Sequence, residues 1–160
     1  MAGRIKDLIK NARGQKVAPA PMEEAIKNEL PCISNAILIG ERRKFIGCFL
    51  TFKVMVDKDN NDMPSNNLAP ASIEWCRSVG SNAGTVTDIL HHKDKEVLTA
   101  IQTGIDRANT HAASRAASVR KWEILPKDIS MQTGEIGPTL KLKRFFFNRK
   151  YADAIERLYN

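Results

Sequence analysis

Two spacings of apolar residues alternate along this chain, and they predict its elements in turn. Met22, Ile26 and Leu30 recur at every fourth position, the spacing of one helical face. They predict a helix from residue 21 or 22 to 30, stopped by Pro31. Glu23 and Glu24 would then lie in its first turn, where the helix dipole favours acids. Ahead of it, residues 4–18 predict two short extended pieces, a hairpin-like unit around Asn11-Ala12-Arg13-Gly14, closed by Pro19 and Pro21. Beyond it the pattern changes to continuous apolar runs. Residues 36–39 predict a strand, and residues 45–56 a second, longer one. The charged turn Glu41-Arg42-Arg43-Lys44 between them predicts a β-hairpin in the middle of a sheet. Such runs imply burial on both faces, so helices should cover the sheet.

Residues 57–67 are polar and predict an irregular surface excursion. Their Asp and Asn residues lack the glycine and glutamate positions of a calcium loop. Helical spacing returns over 68–79, with Ile73, Cys76 and Val79 on one stripe and Gly80 as terminator. Residues 86–90 read as a short bridging segment. The longest helix is expected over 94–112, its buried face marked by Val97, Ile101, Ile105, Ala108 and Ala112. A strand follows within 116–125, ended by Pro126, and a last helix runs from about 148 to 158. The order predicts a single α+β domain: a small central β-sheet with a β-hairpin and covering helices.

Composition adds one bias. The formal charge of +7 suits an anionic partner: nucleic acid, a phosphate-bearing small molecule or an anionic membrane surface. The three cysteines, Cys32, Cys48 and Cys76, lie in apolar surroundings without CxxC spacing and read as buried thiols. His91, His92 and the distant His111 do not make a metal triad, and no metal ligands are expected. No apolar run reaches the length of a membrane span. The basic start lacks the apolar core of a signal peptide, so a cytosolic protein is expected.

The stretch with most chemical content is Gly134-Glu135-Ile136-Gly137-Pro138-Thr139-Leu140-Lys141-Leu142-Lys143-Arg144. Two glycines and a proline bend it, and it presents Lys141 ahead of a basic exit and three phenylalanines. A long polar loop between packed elements is often functional. The alternative is a surface turn followed by solvated lysines.

Several motifs in order carry a resemblance that spans nearly the whole chain. They are Gly3-Arg4-Ile5-Lys6-Asp7-Leu8-Ile9-Lys10, then residues 14–23, then residues 33–40 with Arg43-Lys44-Phe45, and finally residues 134–144. Together they resemble the C-terminal domain of adenylate-forming (AMP-binding) enzymes, the acyl-CoA synthetase and luciferase-like superfamily. The closer resemblance is to long-chain fatty acyl-CoA synthetases of the bubblegum type. It implies a two-step ligation: ATP and a fatty acid give an acyl-adenylate, and coenzyme A then gives acyl-CoA and AMP.

Residue by residue, Lys141 matches the adenylation lysine. Such a cation can reach a carboxylate oxygen and the α-phosphate as charge develops there. The resemblance implies that its loop is mobile, entering the active site for one half-reaction and leaving for the other. Residues 3–10 match the interdomain hinge, with Lys6 at its pivot and Arg4 near the nucleotide. Gly14 and Lys16 match positions near coenzyme A or the nucleotide, and Arg43 belongs to a basic turn suited to phosphates.

The large nucleotide- and fatty-acid-binding domain has no counterpart here. Residues 1–160 are therefore expected to be the mobile C-terminal domain, inactive alone. ATP, coenzyme A and Mg2+ would serve the complete enzyme, whose missing N-terminal domain would be the partner. A fatty-acid substrate leaves room for peripheral membrane association. The competing reading is a basic, non-catalytic module for nucleic acid or an anionic membrane surface. No reader motif for nucleic acid is recognisable.

Overall fold

A computed structural model describes residues 8–139 and 141–160. Residues 3–7 of the hinge motif, with Arg4 and Lys6, lie outside these residues. The described residues open with a small antiparallel hairpin, β1 (Ile9–Lys10) and β2 (Lys16–Val17). The buried Asn11 forms its turn: Oδ1 accepts the N–H groups of Arg13 and Gln15 at 3.0 and 2.9 Å. Helix α1 (Pro19–Glu29) follows. It begins two residues earlier than its apolar spacing predicts, because proline suits the first helical position, where an N–H is not needed. Glu23 and Glu24 consequently fall outside the first turn.

The central sheet has three strands. β3 (Ile33–Ile39) and β4 (Ile46–Phe52) form the expected antiparallel hairpin, and β4 also pairs in parallel with β7 (Val119–Ile124). β4 is therefore central, and all its residues are buried. The expected single strand over 45–56 is two. At Lys53 the chain leaves the sheet: its N–H donates to the Cys32 carbonyl, and its own carbonyl accepts from Ala69 N–H and Ser72 Oγ. Strand β5 (Val54–Asp57) then pairs with β6 (Met63–Leu68). The segment 57–67 is thus mostly a second hairpin, with a single 3-10 turn at Lys58–Asn60, and not an irregular excursion.

α2 (Pro70–Ser78) and the longest helix α4 (Lys95–Asn109) lie within the expected ranges. The expected bridge over 86–90 is a helix, α3 (Val86–His91). Thr85 and Asp88 cap it reciprocally, which satisfies N–H groups that a short helix would otherwise leave open. The last helix is also two: α5 (Arg144–Lys150) and α6 (Ala152–Tyr159), broken at Tyr151.

Apolar clusters cover both faces of the sheet. On one, α1 through α4 bring Met22, Ile26, Cys76, Ile89, Ile101 and Ile105 onto the Cys48 and Leu50 face of β4. Gly104 permits the close approach of α4 to α1, since a Cβ there would stand 2.5 Å from Leu30 Cδ2. On the other, Ile37, Ile39 and Phe49 meet Leu125, Ile129, Phe147, Ala154 and Leu158. All three cysteines are free and buried, and burial raises each thiol, that of Cys76 to about 11. No helix among the described residues is long and apolar enough to cross a membrane.

Candidate functional site

The loop between β7 and α5 is a hairpin with a buried root. Gly137 N–H donates to the Lys141 carbonyl at 2.9 Å, and Lys143 N–H to the Glu135 carbonyl at 2.7 Å. Ile136 and Leu142 pair across it and pack on the second apolar cluster. Lys141 is thereby set at the tip, exposed beside Pro138 and Thr139. Among the described residues no carboxylate pairs with it.

Glu135 anchors the root. Its side chain is fully buried and accepts hydrogen bonds from Lys150 Nζ at 2.6 Å, Tyr151 OH at 2.9 Å and Thr133 Oγ1. Burial works to raise its carboxyl, but the bonds from Lys150, Thr133 and Tyr151 outweigh it, so the group titrates below its ordinary value. Burial, and then the Glu135 carboxylate, push the Tyr151 phenol up. At the exit, Arg144 Nη2 donates to both Glu23 oxygens at 2.8 and 3.0 Å, while Glu23 Oε2 accepts the Leu38 N–H at 2.8 Å. One ion pair thus ties the loop to α1 and β3. Glu23, Glu135 and Arg144 were not singled out from the sequence. Glu135 lay within the stretch of interest, but nothing local distinguishes a buried loop glutamate from a solvated one.

The remaining candidates divide by place. Gly14 has φ +81, a conformation that favours glycine, and Lys16 is exposed on β2. Arg43 is linked to that hairpin through its carbonyl, which accepts the Ala12 N–H at 2.9 Å. Its guanidinium is engaged elsewhere: it pairs with Glu156 and lies 4.9 Å from the Tyr159 ring centre. Burial raises the Tyr159 phenol to about 12, and its OH donates to the Phe45 carbonyl at 2.7 Å. Gly14, Lys16 and Arg43 therefore form one region, and Lys141 stands on a separate loop. Arg4 and Lys6 lie outside the described residues.

Small clefts border these regions, among them one of about 200 Å3 beside Arg43 and Glu156. One of about 220 Å3 lies between α1 and the loop root, lined by Glu23, Lys27, Asn35, Ile136 and Leu142. Another of about 160 Å3 lies beside Lys16, lined by Val17, Met22, Ala25, Ala112 and Ala117. A larger hollow, about 580 Å3, lies over Gly80, Ser81, His92 and Asp94 and includes none of the candidates. No group of three His, Cys, Asp or Glu among the described residues is placed to hold a metal ion.

Comparisons with known proteins bear on the family and the fold. Residues 6–88 match the family model described as AMP-binding enzyme C-terminal domain. Over 159 residues the chain is 47% identical to the long-chain-fatty-acid–CoA ligase ACSBG1 of Bos taurus, covering 99% of this chain and 22% of that protein. It is 45% identical to ACSBG2 of Xenopus laevis, with coverages of 99% and 21%. The chain thus spans about a fifth of the length of these curated relatives. Its fold is that of part of the adenylation domain of a carboxylate reductase from Mycobacterium chelonae, with TM-score 0.65 and 17% identity, over 99% of this chain and 20% of that one. The corresponding domain from Segniliparus rugosus, solved with AMP and a co-purified carboxylic acid, matches at TM-score 0.65 and 16% identity, over 99% and 20% of the two chains.

Proposed function

Because the chain belongs to the family of AMP-binding enzyme C-terminal domains, we propose that it is the mobile C-terminal part of an ATP-dependent long-chain fatty acid–CoA ligase. Similarity to two ligases of that description supports the substrate class. The observation that carries the mechanism is Lys141 at the exposed tip of a loop rooted by Glu135 and Arg144. A rooted loop presents a long-stemmed cation at a defined place without burying its charge.

In the first half-reaction the fatty-acid carboxylate attacks the α-phosphorus of ATP and pyrophosphate leaves. The Lys141 ammonium offsets charge on the carboxylate oxygen and the α-phosphate as the bond forms. In the second, the domain turns about residues 3–10, with Lys6 as pivot, and withdraws Lys141. The Gly14 and Lys16 hairpin then faces coenzyme A, whose sulfur displaces AMP to give the thioester. Arg4 serves the nucleotide side. Arg43, whose carbonyl holds the Ala12 N–H beside that hairpin and whose guanidinium pairs with the exposed Glu156, offers a further cation to the phosphates.

The test is Lys141→Ala in the complete ligase. Acyl-adenylate formation, read by exchange of pyrophosphate into ATP, is expected to fall by about 100- to 1,000-fold, as when one transition-state donor is removed. Thioester formation from supplied acyl-adenylate should persist. Adenylation at the wild-type rate would remove Lys141 from the mechanism.

A further inference from the structure

Three phenylalanines follow one another at positions 145–147 in α5. Successive helical residues are about 100° apart, so three in a row cannot share one buried face. Phe147 takes the inward place, 6.0 and 4.5 Å from the ring centres of Phe49 and Tyr151. Phe145 and Phe146 are left 76% and 42% exposed. Phe146 lies against the lysine loop, its Cζ 3.2 Å from where a Cβ on Gly134 would stand. Arg144 is tied to Glu23 and Phe147 is buried, so this turn of α5 is fixed with two rings facing outward.

Grouped exposed aromatics beside a functional loop mark an interaction surface. We propose that Phe145 and Phe146 are the apolar surface by which this domain seats on the remainder of its ligase during adenylation. The inference rests on the function proposed above. Two observations choose that occupant. Phe145 is four residues from Lys141, no more than about 14 Å along extended chain, so whatever receives Lys141 lies within reach of the rings. The relatives carry most of their length outside the matched region, which is 22% of ACSBG1. The contact would exist in one domain orientation and be lost in the other, so it shifts the balance toward adenylation.

The experiment compares the complete ligase with its Phe145→Ser/Phe146→Ser and Lys141→Ala variants, using palmitate. Replacing both rings is expected to lower pyrophosphate exchange about tenfold or more and to leave thioester formation from supplied palmitoyl-adenylate within about twofold. If Lys141→Ala abolishes exchange but the ring variant exchanges normally, the docking surface is refuted and the proposed function stands. Normal exchange by Lys141→Ala removes both. Equal loss in both half-reactions marks a general defect and also refutes the docking surface. A ring variant that keeps exchange but no longer sediments with phosphatidylserine vesicles assigns the rings, with Lys141, Lys143 and Arg149 around them, to a lipid surface instead.

Discussion

Glu135 does for the loop what a metal or a disulfide does elsewhere: it ties residues 130–135 to the end of α5 through one buried group. Glu135→Gln keeps the shape but removes the charge that Lys150 and Tyr151 address. It is expected to destabilise the chain by about 1–3 kcal/mol at pH 7, read by urea unfolding. The folded-state carboxyl titrates below its ordinary value of 4.5. Its contribution is therefore complete above pH 4.5 and is lost as the pH falls through the folded-state value. The gap between wild type and variant should close over that acidic range, and a gap constant down to pH 2 would exclude this account. Lys141 could be singled out because a motif surrounds it. Glu135 could not be assigned a role, because Lys150 and Tyr151 stand on another element, where Lys150 reads as a surface cation and Tyr151 as part of the apolar side of the last helix.

At the scale of elements, the Arg144–Glu23 pair joins three pieces that are distant in sequence: α1, β3 and the start of α5. Its side chains are 26% and 15% exposed, so solvent screens the pair less than a surface bridge. A double-mutant cycle with Glu23→Ala and Arg144→Ala should return a coupling of about 1–2 kcal/mol. A coupling near zero would mean that Phe147 and the Glu135 bonds to Lys150 and Tyr151 hold α5 in place without the pair. Elements with strong periodicity were legible: α1, α4 and the β3–β4 hairpin follow from apolar spacing. β6 was not, since Met63-Pro64-Ser65-Asn66-Asn67-Leu68 has no alternation and becomes a strand only by pairing with β5. α3 is too short for a period to show, and its one readable signal was the Thr85–Asp88 cap. The start of α5 was hidden because three consecutive phenylalanines carry no helical spacing.

For the whole molecule, the fold class was readable because continuous apolar strands alternate with amphipathic helices. The parallel pairing of β4 with β7 was not, because no local signal links strands that far apart. That pairing also sets an order of assembly. β3 meets β4 across a short turn, whereas β7 joins only after residues 53–118 have been spanned. Closing so long a segment loses much chain entropy before any contact rewards it. The hairpin is therefore expected in the folding nucleus and β7 after it. Ile37→Val should slow refolding, and Ile124→Val should mainly speed unfolding, each with a stability loss of about 1 kcal/mol. Stopped-flow kinetics in urea would read both, and equal slowing of refolding by the two variants would reverse the order. During synthesis, the sheet would then stand open along one edge of its central strand until residue 124 emerges, with Cys48 and Leu50 awaiting the strand that borders them.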